Sequence, residues 1–202
     1  MKKLALVINS TGTGVVGFGS SVNSYSGGTT IESGILQITS NSTSAGTIGT
    51  AAVKLGNTIG SANTTLRLNT PGAVQNSLIV QAGNSGTSSL EFIHTTGVGA
   101  WDGAITLNKD LTLKVANGSS TVFRVATING SISGTGNLIA DQYNGGTFHT
   151  VVLAGANTYS GNTTVASGVL TLADTGSMTF YIGTNGSTNS VGGSGSANFS
   201  GS

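Results

Sequence analysis

Asn157-Thr158-Tyr159-Ser160-Gly161-Asn162-Thr163-Thr164-Val165-Ala166-Ser167-Gly168-Val169-Leu170-Thr171-Leu172 aligns without gaps to an earlier stretch, Asn23-Ser24-Tyr25-Ser26-Gly27-Gly28-Thr29-Thr30-Ile31-Glu32-Ser33-Gly34-Ile35-Leu36-Gln37-Ile38. The residues that define the shared cassette are Tyr25, Gly27, Thr30, Gly34 and Leu36 in one copy, and Tyr159, Gly161, Thr164, Gly168 and Leu170 in the other. In each copy a short strand (Thr29 to Ile31, Thr163 to Val165) leads through a Ser-Gly turn to a second one (Ile35 to Ile38, Val169 to Leu172). Apolar and polar residues alternate within them, which is the period of a sheet with one buried face.

Further short runs of the same character lie between and beyond the copies. They include Thr65-Leu66-Arg67-Leu68, Ser77-Leu78-Ile79-Val80, Leu90-Glu91-Phe92-Ile93, Ala104-Ile105-Thr106-Leu107, Leu111-Thr112-Leu113-Lys114-Val115, Val122-Phe123-Arg124-Val125, Asn137-Leu138-Ile139, His149-Thr150-Val151-Val152-Leu153 and Met178-Thr179-Phe180-Tyr181-Ile182. Closed sandwiches and barrels give each strand its own role and rarely reuse a turn-and-strand cassette at distant positions. A solenoid reuses it because every coil meets equivalent neighbours above and below. No breaker-free window shows apolar residues at helical spacing. Asn-Gly pairs at Asn117, Asn129, Asn144 and Asn185 supply residues that tolerate positive φ at tight corners. The expectation is an all-β chain, one parallel β-solenoid domain over residues 1–202, with roughly 8–10 short coils of about 20 to 25 residues each. At ~4.8 Å per rung, such a rod is on the order of 40 to 45 Å long.

The cassette at 157–170, preceded by Val152-Leu153-Ala154-Gly155-Ala156, resembles the autotransporter-associated β-strand repeat of bacterial surface passengers. Gly130-Ser131-Ile132-Ser133-Gly134-Thr135-Gly136-Asn137-Leu138 is similar to the segment that usually precedes it. The resemblance is strong near residues 22–39 and 129–173 and weaker in between. It implies a right-handed parallel β-helix exported to the cell surface or beyond, acting in adhesion, display or passenger folding, and it brings no catalytic residues with it. The chain opens and closes within a repeat, so the expectation is a segment of a longer passenger or a fibre subunit. Exposed strand edges then favour stacking on another copy, head to tail, into a filament.

Composition narrows the function. Only 6% of residues are charged while 37% are hydrophobic, and 33 are glycine. A core can form, so the chain is not of the disordered kind. A net charge of +1 with seven scattered Lys and Arg leaves no patch for phosphate neutralisation, which excludes nucleic acid as an expected partner. There is no cysteine, hence no disulfide or thiolate metal site. The opening Leu4-Ala5-Leu6-Val7-Ile8 is too short for a signal core and reads as a first strand. No run approaches the ~18 apolar residues of a membrane-spanning helix.

Several patterns compete with a purely structural reading. Gly12-Thr13-Gly14-Val15-Val16-Gly17 matches a dinucleotide fingerprint, but Phe18-Gly19-Ser20-Ser21 is no helix start, and Glu32 belongs to the repeat. The six carboxylates, Glu32, Glu91, Asp102, Asp110, Asp141 and Asp174, are dispersed, although stacking can bring distant residues together. With only Arg67 and Arg124 as arginines, the count argues against a charged polysaccharide-cleaving groove, and a carbohydrate-binding or polysaccharide-active β-helix stands as the alternative. His94 and His149 read as surface or corner residues. A Gly-Gly-x-Gly calcium pattern at Gly192 lacks its Asp. Irregular Thr positions leave an ice-binding face as a minor alternative. A carbohydrate or adhesive surface, if present, would use Trp101, Asp102, Tyr143 and Tyr181, although packing at a coil corner is the preferred reading of Trp101. No catalytic residue, cofactor or metal is expected. The partners expected are a second copy of the chain or surface glycans.

Overall fold

The computed structural model describes residues 3–10, 14–19, 23–39, 48–94, 98–115, 124–142, 149–173, 177–178, 191–192 and 196–199. The chain winds through short parallel strands, coil upon coil. The first coil contributes β1 (Leu6–Asn9) and β2 (Val15–Phe18), and the second the long β3 (Thr29–Thr39). Next come β4 (Val53–Leu55), β5 (Thr64–Asn69) and β6 (Ala73–Val74), then β7 (Leu78–Val80), β8 (Ser88–Phe92) and β9 (Val98–Trp101). The fifth and sixth coils carry β10 (Ile105–Leu107), β11 (Leu111–Val115), β12 (Arg124–Ile128), β13 (Ile132–Gly134), β14 (Leu138–Gln142) and β15 (His149–Leu153). The last are β16 (Ala156–Asn157), β17 (Thr163–Val165), β18 (Val169–Leu172), β19 (Ser177–Met178), β20 (Val191–Gly192) and β21 (Ser196–Phe199). Every strand pairing among the described residues is parallel, and no helix occurs among them. The expected parallel β-solenoid is therefore the fold.

The strands form three stacked faces. The first runs β1, the N-terminal half of β3, β4, β7, β10 and β13. The second runs β2, the C-terminal half of β3, β5, β8, β11, β14, β17 and β20. The third runs β6, β9, β12, β15, β18 and β21. About five coils, from β4 to β18, have backbone pairing on all three faces, against the eight to ten expected. Coil length varies about the expected value: successive register partners on the second face, from Ile35 to Thr164, are 30, 24, 23, 27 and 25 residues apart. Coils outside this stretch pair on fewer faces among the described residues. The missed strands, among them β4, β6, β9 and β13, are two to four residues long, too short for alternation to register. The expected pair Thr29 to Ile31 and Ile35 to Ile38 is one bent strand, β3.

In-register stacking places like residues in columns. On the second face Leu36, Leu66, Leu90, Leu113 and Ala140 follow one another inward, and Ile38, Leu68, Phe92 and Val115 stack beside them. On the first face Ile31, Leu55, Val80 and Leu107 do the same. The third stacks Val74, Trp101, Ile128, Leu153 and Leu172. Sizes are matched across the interior: a Cβ on Gly99 of β9 would come 2.8 Å from the Phe92 ring. Each of these side chains is removed from water, worth roughly 1.5–3 kcal/mol apiece. The ladder satisfies the backbone and the columns fill the centre, so the rod stands without disulfides.

Candidate functional site

The cassette forms a corner. In each copy the tyrosine turns inward and its phenol meets the first threonine of the Thr-Thr pair: Tyr25 Oη to Thr29 Oγ1 at 2.6 Å, Tyr159 Oη to Thr163 Oγ1 at 2.5 Å. The second threonines, Thr30 and Thr164, which sequence reasoning singled out, are half-buried outward positions instead. Strand parity carried that signal, because Thr29 and Thr163 share a face with the buried Ile31 and Val165. Gly34 and Gly168 both adopt positive φ, +83° and +79°, and end the turn in the same way. At Gly27 and Gly161 any Cβ would strike the backbone of the preceding coil, Leu4 O at 2.4 Å and Gly136 O at 2.1 Å. Leu36 and Leu170 are core residues. Yet the two copies sit at different corners. The first joins the first face to the second, while the later copy joins the second face to the third.

Stacking also assembles polar residues that are remote in sequence. Gln37, Arg67, Glu91, Lys114 and Asp141 occupy successive rungs of the second face in register, giving a column of alternating charge. Arg67 Nε donates to Glu91 Oε2 at 2.7 Å, with the two side chains only 20% and 7% exposed. The carboxylates are thus less dispersed than the sequence suggested. Each described carboxylate accepts a hydrogen bond from an adjoining coil: Glu32 from Asn9 Nδ2, Glu91 from Arg67, Asp102 from Asn129 Nδ2, Asp110 from Asn137 N and Nδ2, and Asp141 from Ser167 Oγ. Asp174 lies outside the described residues. These acids tie coil to coil, and the geometry gives none of them a paired acid or a base to work with.

Above the corner between the first and second faces lies a groove of about 610 Å³. Ser10, Ser33, Asn63 and Thr87 edge it on the corner side. Ile35, Thr65 and Ser89 form its floor on the second face, and Glu91 and Lys114 close one end. One wall is raised by two long connections, 56–63 and 81–87, where the next two coils need only 108–110 and 135–137. These long connections stack on each other through a parallel bridge between Gly60 and Asn84. Asn84 is 2% exposed; its Nδ2 donates to Ala62 O at 2.7 Å and its Oδ1 accepts from Gly86 N at 3.0 Å. The wall is a fixed part of the fold.

Trp101 is packed, as its preferred reading expects, though at the end of strand β9. Trp101 is 0% exposed, held in the inward column of the third face, so it offers nothing to a ligand. Asp102 beside it is half-buried and bonded to Asn129. Tyr143 and Tyr181 lie outside the described residues. His149, expected at the surface or a corner, is 3% exposed and points inward opposite Arg124. His94 sits half-buried, and its carbonyl accepts from Arg124 Nη1. Burial first, then the nearby Arg124 charge, hold the His94 imidazole below its ordinary pKa. The dinucleotide reading fails, since Val15 to Phe18 is strand where a helix would be needed. Among the described residues no group of three or more His, Cys, Asp and Glu is placed to hold a metal ion, and no helix is long and apolar enough to cross a membrane.

Fold, corner cassettes and coil-to-coil polar ties define a repeat-built parallel β-solenoid. The comparison with protein families agrees: residues 10–38 and 150–172 match the passenger-associated-transport-repeat, the two segments that contain the cassettes. Two segments of the β-solenoid are thus similar to this repeat, in keeping with the resemblance to autotransporter passengers. No curated protein and no solved structure matches it significantly.

Proposed function

We propose that this chain is a non-enzymatic structural segment of an exported bacterial protein, displayed on the cell surface or released outside it, where it serves as a passenger stalk. The observation that carries this reading is the continuous in-register ladder of the second face, from β2 to β20. Its eight strands span roughly 34 Å at the usual rung spacing. The passenger-associated repeats support export, and the carboxylates engaged between coils support a mechanical rather than a catalytic role. A rod of this kind resists bending because each coil is bonded along its length to the next.

Adhesive display and head-to-tail fibre assembly are finer versions of the same reading. The first coil leaves the outer edges of β1 and β2 unpaired among the described residues and exposes Leu4, Val7, Val15 and Val16, surface that stacking of a further coil would cover. Electron microscopy of the purified chain separates filaments from single rods.

The reading is tested by placing the chain between an N-terminal epitope and an outer-membrane β-barrel translocator in a Gram-negative host. Added protease should remove the epitope from intact cells while leaving the solenoid whole. Retention of the epitope inside the cell, or rapid loss of the solenoid, would overturn the proposal.

A further inference from the structure

We propose that the groove at the first corner binds a neutral, linear oligosaccharide lying along the solenoid axis. The inference does not depend on the stalk reading, which it can survive or outlive. Its first support is the wall. A rod needs only short connections, as the later coils demonstrate, yet two adjacent coils build long ones and pin them with the buried Asn84. The result is concave, and its volume lies in the range of small-ligand sites.

The second support is chemistry and spacing. Ile35, Thr65 and Ser89 are register partners, so the floor presents one side chain per rung at ~4.8 Å intervals. That spacing is close to the length of one sugar in an extended glycan, so the hydroxyls of Thr65 and of the largely buried Ser89, on adjoining rungs, meet hydroxyls of adjoining sugars. Ile35 adds an apolar patch for the C–H face of a ring. Asn63 and Thr87, both exposed on the wall, supply amide and hydroxyl groups.

Charge selects the glycan class. Arg67 and Glu91 neutralise each other at 2.7 Å, and Lys114 is followed one rung on by Asp141. Each pair of opposite charges sits on adjoining rungs, ~4.8 Å apart, and cancels within one Debye length, ~8 Å at physiological salt. The groove therefore draws neither polyanions nor polycations, and a neutral chain fits it best.

The test is native electrophoresis of the whole chain through gels holding soluble neutral glucans or mannans, with polygalacturonate and heparin as charged comparators. At least one neutral glycan should retard the chain, equally from roughly 50 to 500 mM salt, a range over which charge contacts weaken. Thr65→Arg, which fills the groove from its floor, should weaken retardation at least tenfold. Thr127→Arg, outward on the third face, should leave it unchanged, with both variants melting like the parent. Should Thr65→Arg fail to fold, Thr87→Arg on the exposed wall takes its place. Absence of retardation by every neutral glycan, full retention in the groove-filled variant, or salt-sensitive retardation by the charged polymers alone would each overturn the proposal.

Discussion

Tyr159 and Thr163, four residues apart, share a 2.5 Å hydrogen bond inside the coil, and Tyr25 and Thr29 reproduce it at a different corner of the same rod. The cassette is therefore a device for turning a corner, not the signature of one face. Tyr159→Phe keeps the ring and removes the bond, so urea denaturation should show a loss of about 1 kcal/mol. Tyr25→Phe should lose less, because Tyr25 is half-buried where Tyr159 is 1% exposed.

The same phenol gives the rod an alkaline limit. Burial pushes the Tyr159 hydroxyl up to about 12, against the opposing pull of its bond to Thr163. The unfolded chain loses that proton near the ordinary value of about 10, so the folded state holds it longer. Stability from this group is complete below pH ~10 and is lost as pH rises to ~12, a change of about 3 kcal/mol. The advantage of the parent over Tyr159→Phe in urea melts should stay level below that window, then shrink and reverse within it, Phe becoming the more stable.

Glycine at the cassette's close approach is required by the coil beneath it. Gly161→Ala would set a methyl group 2.1 Å from Gly136 O, whereas Gly17 has open space where its Cβ would go. The first substitution should cost about 3 kcal/mol or more, and Gly17→Ala should stay within about 0.5 kcal/mol. Gly168→Ala falls between them, since a side chain at φ +79° is strained and its Cβ also meets His149 O at 2.8 Å. Thermal melts of the three variants check the ranking.

The charge column predicts a salt-dependent weakness. Glu91→Lys would place cations on three successive rungs with Arg67 and Lys114, and should destabilise by about 2–4 kcal/mol at low salt, less at high salt. Glu91→Gln keeps the shape and should cost about 1–3 kcal/mol. Melting temperatures measured at two salt concentrations separate these effects.

Much of this architecture was legible because Tyr, Gly and alternating Val, Leu and Ile in the cassette report local geometry. The strand His149–Leu153 has the expected bounds, and Leu111–Val115 likewise. What sequence could not show is what depends on coil length. Arg67, Glu91, Lys114 and Asp141 are separated by 24, 23 and 27 residues, so no fixed period reveals that they stack. Connections 56–63 and 81–87 raise the groove wall without lengthening their coils, which are 25 and 27 residues against 27 for the next, and in sequence they look like any other Gly- and Asn-rich turn. The packed reading of Trp101 prevails over the exposure that Asp102 beside it suggests, and its register with Val74 and Ile128 is what sets it inside.

The central claim is that rungs distant in sequence lie in order along one axis. Val15, Ile35, Thr65, Ser89, Thr112, Ile139 and Thr164 form one register column on the second face, and the chain has no native cysteine to confuse labelling. Spin labels on a cysteine at position 15 and on a second at 112, 139 or 164, read by pulsed electron resonance, should give separations near ~19, ~24 and ~29 Å, one ~4.8 Å step per rung. Distances that fail to climb in that order, or that are longest for position 112, would contradict the stacked solenoid and everything built on it.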